Sequence, residues 1–170
     1  AEILVSDLEA QGELQEYAQE ILQENRRMQW LVNALLNLSR IDLGSVKFVL
    51  DTIHVKDFID SLVQSLNIEM EHHGTNVTVN IDTQLTIIND PVHVDVIFTN
   101  LISNAIKYTP EQSGEVVITA WHTDEDAILF EVQDNGLGIP KDEQSQIFSR
   151  LFRANNAKDA DTDGNGLGLY

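Results

Sequence analysis

Apolar residues stand at Leu14, Tyr17, Ile21, Met28, Leu31, Leu35 and Leu38, in alternating steps of three and four with one polar break at Glu24. That spacing predicts a coiled-coil helix over residues 14–40, whose seam needs a second helix to cover it. Such a helix would be about 40 Å long at 1.5 Å per residue. Residues 3–10, followed by Gly12, predict the end of a preceding antiparallel helix and its turn. Residues 39–44, Ser-Arg-Ile-Asp-Leu-Gly, break the helical pattern and are expected to hinge into a second unit.

Past the hinge the period changes. Residues 46–50 read as a strand, and 55–72 as one amphipathic helix with Val55, Phe58, Ile59, Leu62, Val63, Leu66 and Met70 on its apolar side. Val77, Val79 and Ile81 alternate as in a half-buried strand. Asp90-Pro91 predicts a helix start, with Asp at the cap and Pro at the first position, and the helix should run to about Lys107. Residues 115–123 and 127–133 predict a hairpin turning at 124–126. Pro140 is expected to open a short helix to about Leu151, and the polar, acidic, patternless stretch 155–163 to be a mobile loop. A partial helical hairpin (1–43) followed by a mixed unit with helices against one face of a sheet (44–170) gives an α+β fold class.

Charge narrows what such a unit could bind. Of 170 residues 10 are basic and 28 acidic, a formal net charge of −18 that disfavours nucleic acid and anionic lipid as partners. An anionic ligand would therefore need local cations, and Lys107, Arg150 and Arg153 are the candidates. With no cysteine there are no disulfides or thiolate metal sites. No apolar run nears the roughly 20 residues that span a bilayer, and no signal-peptide pattern opens the sequence. A soluble, cytoplasmic-type fragment is the expectation.

Four segments carry candidate chemistry. Asn100-Leu-Ile-Ser-Asn-Ala-Ile-Lys-Tyr-Thr-Pro110 sets Asn100 and Asn104 one helical turn apart, so their amides point the same way. An amide oxygen is a hard ligand of the kind Mg²⁺ accepts. Lys107, on the same face, can reach a phosphate as a point charge, and Tyr108 offers a ring to a base. Asp134-Asn-Gly-Leu-Gly-Ile-Pro140 ends a strand with a carboxylate that could accept from an adenine amino group. Gly136 and Gly138 would allow close approach or positive φ. Ile147-Phe-Ser-Arg-Leu-Phe-Arg153 mixes apolar anchors with two guanidinium groups. Gly164-Asn-Gly-Leu-Gly-Leu169 places Gly164, Gly166 and Gly168 at alternate positions around Leu167, a backbone-amide cradle for phosphate. Read singly, each has a plain alternative: a polar helix face, an ordinary strand-to-helix turn, an amphipathic helix end, a flexible linker.

In this order the four resemble the N, G1, F and G2 boxes of the GHKL ATPases, most closely those of the sensor histidine kinases. The resemblance implies a mixed-sheet α/β sandwich of the Bergerat type that binds ATP and Mg²⁺. Asn104 would hold the metal, with Asn100 on the phosphate side, and Arg150 would stabilise charge on the transferring phosphoryl group. It further implies a homodimer through the helical hairpin, a response-regulator receiver domain as partner, and the cytoplasmic portion of a membrane-anchored sensor, with any membrane contact made by segments other than these.

Some features depart from the family pattern. Leu151 stands where Phe is usual, and Tyr170 where a small residue is common. Family members continue past that point with a helix and further strands, so the fold is expected to need another layer. None of His54, His72, His73, His93 and His122 sits in the family's His-Glu/Asp-x-Arg/Asn-x-Pro phosphoacceptor pattern. Two alternatives stand beside the kinase reading: another ATPase of the superfamily, and a pseudokinase scaffold. Against the first, no carboxylate lies between Val96 and Lys107 to activate water. Against the second, all four boxes keep their polar residues.

Overall fold

A computed structural model describes Met28, residues 47–125 and 127–160, Gly166, Gly168 and Leu169. The chain divides into two units, Ala1–Lys47 and Phe48–Tyr170, and the fold that follows is that of the second. Apart from Met28, the coiled-coil seam, with the preceding helix end and the hinge, lies outside the described residues.

The second unit runs β1 (Asp51–His54), α1 (Val55–Ser65), α2 (Asn67–His73), β2 (Thr75–Ile81), β3 (Thr86–Asn89), α3 (Pro91–Tyr108), β4 (Gly114–His122), β5 (Ile128–Asp134) and α4 (Asn155–Ala160). Strands order as β2-β4-β5, with β2 parallel and β5 antiparallel to β4, while β1 and β3 pair separately as an antiparallel ribbon. This is an α+β unit with a mixed sheet. Alternation places Val116, Ile118 and Ala120 of β4 in the core, which α1 and α3 complete with Val55, Ile59, Leu62, Phe98, Ile102 and Ile106. The Phe98 ring meets Phe130 of β5 at 4.8 Å and Phe58 of α1 edge-on at 6.4 Å, which ties helix to sheet.

Helix α3 carries the first motif, and its ends are held on both sides. Asp90 Oδ1 accepts from the Val92 and His93 amides at 2.9 and 3.3 Å, and Oδ2 accepts from the Val49 amide at 2.8 Å. The Val49 bond is the main reason the carboxyl lies at about 2, below its ordinary 3.8. His93 Nδ1 lies 3.2 Å from Oδ1, within charge range but without hydrogen-bond geometry. At the other end Thr109 turns extended before Pro110, as a residue preceding proline must. Its buried hydroxyl donates to Ile106 O and meets Thr75 Oγ1 at 3.1 Å. Gly114 permits this closure, since a Cβ there would fall 2.3 Å from Thr109 Oγ1.

Four local expectations need correction, and one strand was not expected at all. The strand predicted at 46–50 lies at 51–54, because Val49 spends its amide on Asp90 and the pairing with β3 begins at Asp51↔Asn89. The strand β3 itself has no counterpart in the sequence reading. The single helix over 55–72 is two, because the Leu66 amide is shared between Leu62 O and Val63 O, each at 3.2 Å, while Ser65 Oγ takes Leu62 O. From Pro140 to Phe152 bonds recur at i→i+3 (Glu143 to Pro140, Gln146 to Glu143, Ser149 to Gln146, Phe152 to Ser149), so the chain makes successive tight turns with one 3₁₀ segment, Gln144–Gln146, where a helix was expected. Finally, residues 155–160 of the expected loop form α4.

Candidate functional site

Three of the four motifs meet along α3. Asn100, Asn104, Lys107 and Tyr108 are all half-buried on this helix, and Asn100 and Tyr108 are about 12 Å apart along its axis at 1.5 Å per residue. Near its middle, Gly168 lies against the asparagines. A methyl group there would come 3.2 Å from Asn100 Oδ1 and 3.7 Å from Asn104 Nδ2. Asn100 Nδ2 donates to Val96 O at 2.8 Å, which leaves its oxygen facing the glycine. The amide of Asn104 has no hydrogen bond among the described residues. No cluster of three His, Cys, Asp or Glu able to hold a metal occurs among the described residues, so a cation here would rest on an amide oxygen and its ligand's own anionic oxygens.

At the C-terminal end of α3 the turn after β5 closes over Tyr108. The Leu137 amide donates to Tyr108 O at 3.1 Å, and a Cβ on Gly136 would fall 2.4 Å from that same oxygen. Glycine is thus required at 136 by crowding. At 138 it is favoured by backbone conformation, φ +64 with open space beside the Cα. Asp134 is exposed, and its Oδ1 accepts from the Gly136 amide at 2.8 Å, an Asx turn that holds the carboxylate at the rim. Asn135 fastens the turn to β4 by accepting from the Glu115 amide at 2.9 Å and donating to Ser113 O at 3.0 Å. Lys107 Nζ stands 5.9 Å from the centre of the Tyr108 ring. The carboxyl of Glu69, on α2, is raised by partial burial against the opposing pull of Lys107 and His73.

Residues 147–153, the fourth motif, join this candidate crevice through Gly166. Gly166, at φ +67, packs on the backbone of Leu151 and Phe152, where a Cβ would fall 2.7 Å from each. Leu151 itself adopts φ 59, unusual for a branched side chain. Arg150 is exposed, and Arg153 Nη2 donates to Ala157 O at 3.0 Å, across the first turn of α4. Gly164 and Leu167 lie outside the described residues. Residues that the sequence reading passed over also shape the site: Asn135, and the amides of Gln144 and Asn156, which donate to Ile139 O and Gly138 O at 3.1 and 2.9 Å. Asn156 stands two residues past Ala154, in a stretch without periodicity, so nothing in the pattern singled it out.

Residues 89–170 match the family of histidine kinase-, DNA gyrase B- and HSP90-like ATPases. Over 147 residues, 86% of this chain and 24% of the relative, it is 33% identical to the sensor histidine kinase WalK of Bacillus subtilis. The chain is homologous to the catalytic ATPase domain of sensor histidine kinases. It is also 28% identical over 169 residues to the sensor-like histidine kinase SenX3 of Mycolicibacterium smegmatis, covering 99% of this chain and 44% of that one. The chain thus spans less than half the length of these relatives, 24% of one and 44% of the other. Among solved structures, the histidine kinase AdeS of Acinetobacter baumannii shares the fold, with TM-score 0.72 at 16% identity over 89% of this chain and 68% of that chain. Full-length ShkA, solved in complex with AMPPNP, matches with TM-score 0.70 and 26% identity over 84% of this chain and 29% of that chain. The mixed-sheet α+β unit is therefore the histidine-kinase ATPase fold. No helix among the described residues is long and apolar enough to cross a membrane.

Proposed function

We propose that this histidine-kinase catalytic domain binds ATP with Mg²⁺ along α3 and, in the intact protein, delivers the γ-phosphoryl group to a histidine for relay to an aspartate of a response-regulator receiver domain. The observation that carries this reading is the convergence on one helix: a glycine backbone beside Asn100 and Asn104, and a glycine turn with an exposed carboxylate beside Tyr108.

Roles follow from chemistry. Asp134 accepts from the adenine amino group, a contact guanine cannot return, and the Tyr108 ring lies along the base. Gly136 and Gly138 keep the turn free of side chains. Lys107 and Arg153 supply positive charge to phosphate in a molecule that is otherwise strongly acidic. Gly164, Gly166, Leu167 and Gly168 offer main-chain amides to the phosphates. Asn104, with its amide unengaged by described residues, would hold Mg²⁺ and Asn100 would stand on the phosphate side; a bound metal ion neutralises charge on the phosphate oxygens. Arg150 stabilises charge on the group in flight. In the transfer the bond from the γ-phosphorus to the β–γ bridging oxygen breaks, a bond to an imidazole nitrogen forms, and ADP leaves. The domain's contribution is positioning and charge neutralisation. The seam at residues 14–38 would pair two such chains as a homodimer, and the membrane would be met only by other segments.

Two substitutions test the site. Asp134→Asn should lower ATP affinity about tenfold or more, as loss of a hydrogen bond to a charged group does, and narrow the preference over GTP. Asn104→Asp should weaken the Mg²⁺ dependence of binding while the fold stays intact by circular dichroism. Calorimetry showing unchanged ATP affinity in both would remove this crevice from consideration.

A further inference from the structure

The turn after Asp134 presents three consecutive carbonyls, at Leu137, Gly138 and Ile139, and each faces a side-chain amide donor. Asn156 Nδ2, from α4, lies 2.9 Å from Gly138 O and 3.5 Å from Leu137 O, and Gln144 Nε2 lies 3.1 Å from Ile139 O. On its other side the same turn hangs on α3 through the Leu137 amide and Tyr108 O. Helix α4 has a second tether: Glu143 accepts from the Asn155 amide at 3.0 Å and from Asn155 Nδ2 at 2.5 Å. The turn is therefore gripped between α3 and two amides that no glycine-box motif contains. Carbonyls left in water would let it rotate, because Gly136 and Gly138 impose little restraint of their own.

We infer that Asn156, with Gln144, is a positioning residue for the nucleotide: an amide clamp that holds residues 137–139 so that Asp134 and the Gly136 backbone are already set for the base. The inference rests on the nucleotide reading above. Because the clamp acts on the base side of the crevice, its loss should weaken adenosine, ADP and ATP by the same factor and leave the gain from each phosphate unchanged. A merely structural role would lower the melting temperature and leave the affinities of the folded domain as they were.

The test uses the full chain and calorimetric titration with adenosine, ADP and ATP. Asn156→Asp keeps the shape, removes both donors and sets a carboxylate against the carbonyls. It should cost about fivefold to tenfold in all three affinities, the factor carried by roughly one net hydrogen bond. Asn156→Gln keeps the donors and should recover most of that loss. Gln144→Glu, at an exposed position, should give a smaller loss of the same kind and decides the matter should Asn156→Asp not fold. Unchanged affinities, or a loss that grows with each phosphate, would overturn the clamp while the unaltered chain still binds ATP. No binding by the unaltered chain overturns the nucleotide reading and the clamp with it.

Discussion

At the scale of single residues, Asp90 shows how one side chain does two jobs that sequence reveals only in part. Its capping role was legible from Asp-Pro before an apolar run, since a short acceptor at that position meets the free amides of the first turn. Its bond to Val49, 41 positions away, left no local trace. The carboxyl is lowered from 3.8 to about 2, so ionisation favours the folded state. That contribution is whole above pH about 4 and is lost as pH falls from there through about 2. Asp90→Asn should therefore melt lower than the unaltered chain at neutral pH and show a shallower loss of stability between those two pH values. An unchanged slope in thermal melts across that window would refute the assignment. The catalytic candidates were legible because their chemistry depends on residue type at fixed spacing. Asn156 and Gln144 were not, because an amide that grips a distant carbonyl has no periodicity.

At the scale of elements, the reading succeeded where one period ran unbroken. Helix α3 and the hairpin β4–β5 match their predicted ranges to within about two residues. It failed where local hydrogen bonds compete with the regular ladder: at Ser65 and Leu66, along the i→i+3 turns from Pro140, and at Val49. The glycine turn offers a test at this scale, because its two glycines are required for different reasons. Gly136→Ala would drive a Cβ to 2.4 Å from Tyr108 O, and backbone must move. The cost should be about 1–3 kcal/mol, in the range of other overpacked sites. Gly138→Ala meets no neighbour within 4 Å and bears only the left-handed φ of +64, at roughly 1–2 kcal/mol. Denaturant titration should rank Gly136→Ala as the more damaging change and show it reducing ATP affinity as well. The reverse order would contradict the docking of the turn on α3.

For the whole molecule, a formal net charge of −18 sets the terms on which it meets an anionic ligand, which would need the local cations proposed above. The α+β class could be read from the order of elements and the mixed sheet was implied by the family resemblance, whereas the separation of β1–β3 from the main sheet was in neither, since pairing partners are chosen by tertiary packing. The central claim is that the four motifs make one adenine-nucleotide site. Titrating ATP into the full chain by calorimetry, with and without Mg²⁺, tests it most directly. The account predicts one site per chain, tightened by Mg²⁺ and weaker for GTP. No binding at millimolar ATP, or equal binding of ATP and GTP, would contradict it.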